Sequence, residues 1–210
     1  YSIAIVDKID SLVGFFLINE KPTSSKDPFA LRRSAIGLLR IIIENKLSIK
    51  LRDLINYAIR LYEEQGVQIK NENTETEVFD FLKERMRNIL KLKNIKIDII
   101  EASISSHHGD NFLDLYKKNI LMNKYITKDV GIKAISSYKR ASNIADKAQK
   151  EIQGRPDAVL FRTDEEKILF EKINEIRKAF TTKEINKDYE NLLIKLSETK
   201  QFTDNFFDNV

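Results

Sequence analysis

Apolar residues recur along the chain at the three- and four-residue spacings of buried helix faces. Ile5, Ile9, Leu12, Val13, Phe16 and Leu17 form one such face. After the turn at Lys21-Pro22-Thr23-Ser24-Ser25, Asp27-Pro28 reads as an N-cap with proline at the first helical position, where its missing N–H costs nothing. That helix is expected to run to about Asn45 through Leu31, Ala35, Leu38, Leu39 and Ile42. Ser48 can cap the next, whose stripe is Leu51, Leu54, Ile55, Ala58, Leu61 and Tyr62 and which Gly66 ends. Thr74-x-x-Glu77 has capping-box spacing ahead of Val78, Phe81, Leu82, Met86, Ile89 and Leu90.

Lys96 to Ser103 suits a short helix better than a strand, although its β-branched run fits either. The polar stretch Ser105-Ser106-His107-His108-Gly109 is the best internal boundary, dividing the chain into residues 1–105 and 106–210. Beyond it Asp110 can cap a helix to about Asn123, and Thr127 a long one to about Gln153. Gly154-Arg155-Pro156 breaks the chain, and Thr163-x-x-Glu166 is a second capping box, followed by Ile168, Leu169, Ile173, Ile176 and Phe180. A last pair of helices is expected, from Thr182 to about Glu198 and from Thr203 onward. The predicted fold class is all-α.

Composition narrows the function classes. Hydrophobic residues make up 42% of 210, enough for a packed core, and no apolar run approaches the length of a bilayer span. Cysteine is absent, which removes disulfides, thiol nucleophiles and thiolate metal ligands and fits a reducing, cytoplasmic setting. No signal peptide is visible. The chain opens in helical rhythm without Met and closes on Phe206-Phe207-Asp208-Asn209-Val210, as expected of a segment from a longer polypeptide.

The 36 Lys and Arg exceed the 32 Asp and Glu by only four, but their distribution is uneven. Lys21 to Arg60 holds nine basic and three acidic residues, Lys117 to Lys150 nine and two, and the stretch from Asp157 nine and twelve. Two basic segments beside an acidic tail suit an anionic polymer better than the total implies; a solvated face is the alternative. In the second segment Lys139, Ser142 and Asn143 share a helix face. Cations for phosphates beside an amide for base edges suit single-stranded RNA, and Tyr138 either stacks on a base or belongs to the core. Arg140 belongs to the same cluster, although it and Lys139 can instead pair with acids of the tail. Lys26, Arg32 and Arg33 gather at a helix start, where backbone N–H groups also favour phosphate.

Signals for chemistry are few. Asp7-x-x-Asp10 puts two carboxylates on one helix face, a spacing that suits Mg²⁺ or acid–base work, or an ion pair with Lys8 or a neighbouring helix. His107-His108 lies in a loop beside Gly109, and on a helix the two rings would diverge too far to share a metal. There is no glycine-rich phosphate loop, Gly-x-Ser-x-Gly or His-Glu-x-x-His.

Longer stretches carry a resemblance. Ile5-Val6-Asp7-Lys8-Ile9-Asp10-Ser11-Leu12-Val13-Gly14-Phe15-Phe16 is followed by Lys26-Asp27-Pro28-Phe29-Ala30-Leu31-Arg32-Arg33-Ser34-Ala35-Ile36-Gly37-Leu38-Leu39-Arg40-Ile41-Ile42. Then come Arg60-Leu61-Tyr62, Lys139-Arg140-Ala141-Ser142-Asn143-Ile144 and Phe206-Phe207-Asp208-Asn209-Val210. In this order they resemble the β subunit of the bacterial tetrameric glycyl-tRNA synthetase, in its C-terminal part. The resemblance implies the end of an HD-like helical domain over 1–105 and an anticodon-binding helical bundle over 106–210. It implies tRNA(Gly) and the synthetase α subunit as partners, in an α2β2 ligase whose α subunit uses ATP and Mg²⁺ to activate glycine. No cofactor, catalytic residue or membrane contact is implied for this segment. Asp7 matches the last aspartate of HD motifs, while the His and His-Asp elements of those motifs are absent. The alternatives are an HD-type metal-dependent phosphohydrolase fragment using Asp7 and Asp10, or a structural module that contacts another subunit.

Overall fold

A computed structural model of the chain describes residues 1–106, 109–147, 156–181 and 188–210, with backbone alone at 179–181. His107-His108, the stretch 148–153, most of the Gly154-Arg155-Pro156 break, the Phe180 side chain and the helix start at Thr182 lie outside this description. The helices are α1 (Ser2–Leu17), α2 (Leu31–Glu44), α3 (Leu51–Glu64), α4 (Thr74–Leu92), α5 (Ile97–Ser105), α6 (Phe112–Tyr125), α7 (Asp129–Lys147), α8 (Asp164–Thr181) and α9 (Tyr189–Asn209). A 3₁₀ turn at Ala158–Leu160 precedes α8, and there is no strand among the described residues. The fold is all-α. Packing divides it into two units, Tyr1–Ile120 and Leu121–Val210.

In the first unit α4 is the common neighbour, packing on α1, α2, α3 and α5. Every apolar residue expected on the α1 face is buried, as are Leu31, Ala35, Leu38, Leu39 and Ile42 of α2. Each large side chain so buried stabilises by about 1.5–3 kcal/mol before entropy is counted. On α4 Val78, Leu82, Met86, Ile89 and Leu90 are buried as expected, and Phe79 takes the place expected for Phe81. Phe79 is fully buried against Phe112 of α6, with ring centroids 5.3 Å apart, and Arg52 lies over its other side. Phe81 is only partly covered.

Several expected caps are replaced by contacts distant in sequence. The Thr74/Glu77 pair is not a capping box. Thr74 Oγ1 instead donates to the Asn71 carbonyl at 2.7 Å, and Glu77 accepts from Asn71 Nδ2 at 3.0 Å while pairing with Lys21. Asn71, almost fully buried, also donates to the Phe16 carbonyl at 3.1 Å, satisfying an acceptor at the end of α1. Ser48 leaves the α3 start uncapped and accepts from Asn111 Nδ2 at 2.9 Å; Asn111, not Asp110, receives the first-turn N–H of α6. Pro28 falls in a turn before α2, whose first residue is Leu31. The ends of α1 to α4 share one device, since Asn19, Lys46, Gly66 and Asn94 adopt left-handed φ of 67°, 53°, 78° and 57°. At each, the following N–H reaches back five residues, as Val67 does to the Tyr62 carbonyl at 3.0 Å.

In the second unit α9 packs on both α7 and α8. It is one continuous helix where two were expected. Asp188 caps it through Asn191 N–H, and no Gly or Pro interrupts it. The hydroxyls of Ser197 and Thr199 donate back to the Ile194 and Leu196 carbonyls, both at 2.6 Å. The second capping box does form: Thr163 N–H donates to Glu166 at 2.8 Å and Glu166 N–H to Thr163 Oγ1 at 3.3 Å. Of the α8 stripe Ile176 is buried, whereas Ile168 and Ile173 remain exposed.

Replacing Asn71 with Ala should destabilise the chain by about 1–3 kcal/mol in urea unfolding, because the α1 carbonyl and Glu77 both lose a donor. The Lys21 ammonium, reinforced by Asn71, holds the Glu77 carboxyl below its usual range against the opposing effect of partial burial. A depressed folded-state pKa gives stability that is present above the ordinary Glu range and is lost as pH falls through the folded value. Acid unfolding curves of Glu77→Gln should therefore lack that part of the pH dependence.

Candidate nucleic-acid interface

Glycine begins the site. α7 follows α6 so closely that a Cβ on Gly131 would sit 2.2 Å from the Tyr125 carbonyl oxygen, which no side chain tolerates without a backbone shift. From there α7 carries no Gly or Pro, and Asp129 and Lys147 stand at the ends that suit the helix dipole.

Its inner side is polar. Ser137 is buried, and its hydroxyl meets Thr199 Oγ1 at 3.1 Å and Thr203 Oγ1 at 2.9 Å, both buried on α9. Three residues on, the Arg140 guanidinium spans Asp204 at 3.0 Å and Asp208 at 2.5 Å, with the Phe207 ring centroid 5.4 Å away. Asp208 and Asp204 raise the Arg140 pKa further; Lys200 first and Arg140 second hold Asp204 below its usual range. Contacts climb together along both helices, from Ser137 with Thr199 to Arg140 with Asp208, so α7 and α9 run parallel.

The opposite side of α7 is open. Successive residues turn by about 100°, so Ile132, Ser136, Lys139 and Asn143 line the face away from Ser137, with Lys147 at its flank, and all five are exposed. Lys128, just before the helix, continues the row and also lies 5.2 Å from the Tyr125 ring centroid. Tyr138 points about a quarter-turn from Lys139 and about 140° from Asn143, with 71% of its surface in solvent, so it is not a core residue. Lys139 and Asn143 are thus presented together, Tyr138 is exposed on a different side of the helix, and Arg140 is turned inward. Ser142 is partly covered and donates to Asp146 at 3.4 Å. The +4 and +8 spacing from Lys139 is the sequence signal for Asn143 and Lys147; the serine at 136 has none.

Elsewhere the cations are mostly matched. Lys133 pairs with Asp129, Lys124 with Glu190, and Lys172 with Glu175 and Glu198. A cleft of about 660 Å³ beside α9, lined in part by Lys133, Lys172, Lys200, Glu198 and Asp204, is therefore close to charge-balanced.

At the α2 start, Asp27 already occupies the helix N–H groups, accepting from Leu31 at 2.8 Å and Arg32 at 3.1 Å. Arg32 is folded into the preceding turn, donating to the Thr23 carbonyl, with Asp27 3.9 Å away. Lys26 and Arg33 are exposed. Asp7 and Asp10 both face solvent on α1, and Asp7 lies 3.8 Å from Lys8. No group of three or more metal-ligating side chains occurs among the described residues. Nor is any described helix long and apolar enough to cross a membrane.

A family model described as glycyl-tRNA synthetase beta subunit matches residues 1–105. Among curated proteins, the glycine–tRNA ligase beta subunit of Rickettsia canadensis (strain McKiel) is 41% identical over 208 residues, covering 99% of this chain and 30% of that protein. Those of Rickettsia africae (strain ESF-5) and Rickettsia prowazekii (strain Madrid E) are 39% and 38% identical over the same coverage. The chain thus spans about 30% of the length of these relatives.

Gly131→Ala should lower stability by about 1–3 kcal/mol, as other overpacked sites do, which thermal and urea unfolding would register. Ser136→Ala, on the open face, should leave both midpoints unchanged.

Proposed function

This chain belongs to the glycyl-tRNA synthetase β-subunit family, and from that premise we propose that it is a tRNA-recognition part of glycine–tRNA ligase. Its partner is tRNA(Gly), bound near the anticodon by the outer face of α7. The observation that carries this reading is that face itself: Lys139 and Lys147 for phosphates and Asn143 for a base edge, all exposed, with the exposed Tyr138 a quarter-turn from Lys139 for stacking. Arg140 serves as a positioning residue. Its guanidinium, spent on Asp204 and Asp208, fixes the rotation of α7 instead of meeting phosphate.

In this reading residues 1–105 are the end of an HD-like helical domain and 106–210 the anticodon-binding bundle. Glycine activation with ATP and Mg²⁺ belongs to the α subunit of an α2β2 enzyme in the cytoplasm, and this segment adds no catalytic group. Asp7 and Asp10, exposed and without further ligands among the described residues, do not favour phosphohydrolase chemistry.

Electrophoretic mobility shift of tRNA(Gly) on the whole β subunit, across a range of salt concentrations, tests the proposal. Lys139→Ala and Lys147→Ala should each reduce the slope of log affinity against log salt by about one phosphate contact. Asn143→Ala should narrow the discrimination between tRNA(Gly) and a tRNA with a changed anticodon by roughly 1–3 kcal/mol. Unchanged slopes and unchanged discrimination would contradict the assignment of this face.

A further inference from the structure

The basic residues of the first segment present a second feature. Arg33 and Arg40 stand two turns apart on the exposed side of α2, about 10 Å along its axis, and Gly37 lies between them. Glycine is the poorest helix former after proline, so its place in the middle of α2 needs a packing reason. The reason is Lys8 of α1. A Cβ at position 37 would meet Lys8 Cε at 2.9 Å and Cδ at 3.5 Å, so the lysine stem lies across the bare backbone of α2. The Lys8 side chain is only 26% exposed, with its ammonium held between the two arginines in the helical register.

Other arginines of this unit are engaged. Arg52 pairs with Glu75, Arg87 with Glu84 and Glu101, and Arg60 and Arg85 lie over the Tyr57 and Phe81 rings. Arg33 and Arg40 form no ion pair with a carboxylate and lie over no ring among the described residues, although Arg40 shares a cleft with Glu44 and Tyr116. The acids nearby are Asp7, 72% exposed and 3.8 Å from Lys8, and Glu44, one turn beyond Arg40 at the end of the row. The strip differs in kind from the outer face of α7. Arg33, Lys8 and Arg40 have no exposed amide or aromatic side chain interleaved with them on α2, so the strip can hold phosphates but has nothing with which to read a base. Two guanidinium forks flanking an ammonium suit successive phosphate groups.

We propose that Lys8, Arg33 and Arg40 form a sequence-independent phosphate strip that grips the sugar–phosphate backbone of the bound tRNA. This rests on the tRNA reading of the chain. The test is tRNA(Gly) binding by the whole β subunit in its native assembly, measured across salt concentrations for the Lys8→Met/Arg33→Gln/Arg40→Gln variant. The salt slope is expected to fall by about 2, and the loss of affinity to be equal for tRNA(Gly) and a tRNA with a changed anticodon. Arg33→Lys/Arg40→Lys, which keeps the charge, should retain most of the slope. A triple variant with the parental slope, while Lys139→Ala lowers it, overturns the strip and leaves the α7 reading standing. A parent without salt-dependent tRNA binding overturns both. Parental tRNA binding together with loss of a protein subunit from the assembly assigns the strip to a protein interface and overturns the proposal.

Discussion

Arg140 decides which side of α7 meets solvent. Its guanidinium bridges two carboxylates one turn apart on α9, and one turn earlier on α7 the Ser137 hydroxyl is shared between Thr199 and Thr203. Single exposed ion pairs contribute only about 0–1 kcal/mol, so the clamp is not a large source of stability. Its value is rotational. Large apolar side chains can slide past one another at modest cost, whereas a forked donor and a three-hydroxyl cluster are satisfied at one helix rotation only. With that rotation set, Lys139 and Asn143 have nowhere to face but outward.

The same clamp explains how a chain with only four surplus positive charges can present a positive surface. The acids of the last third are not a diffuse counterweight. Asp204 and Asp208 neutralise Arg140, Glu190 neutralises Lys124, and Glu175 with Glu198 neutralises Lys172. Cations facing α9 are matched in this way, and those facing away are left with solvent. What a polyanion meets is therefore set by the partition of charge between two sides of one helix, which the total does not express.

Much of this was legible in the sequence, and the failures share one cause. Faces dominated by large apolar residues, on α1 and α2, were read correctly because burial energy follows periodicity. Thr163 and Glu166 form their box because only their immediate neighbour Arg162 adds a donor to Glu166 and no distant group claims either side chain. Thr74 and Glu77 have the same spacing, but Asn71 and Lys21 claim their polar atoms, and Ser48 is claimed by Asn111 across 63 residues. A spacing rule cannot see partners brought in by the fold. Phe79 displaced Phe81 from the core because Phe112 comes to meet it. The break expected between Glu198 and Thr203 is absent, and the hydroxyls there bond back along their own helix or to Ser137. For the site, Lys139 and Asn143 were visible from helical spacing alone. The inward turn of Arg140 was visible only as an alternative, since it depends on acids more than sixty residues away.

The central claim concerns orientation, so the most direct measurement reads individual lysines. Chemical acetylation of the whole β subunit with and without tRNA(Gly), quantified by mass spectrometry, compares residues on the two sides of α7. Protection of Lys139 and Lys147 by the tRNA, with Lys133 and Lys172 modified equally in both states, is the result expected. Protection of Lys133 and Lys172 with Lys139 and Lys147 unaffected would contradict it and place the RNA on the opposite side.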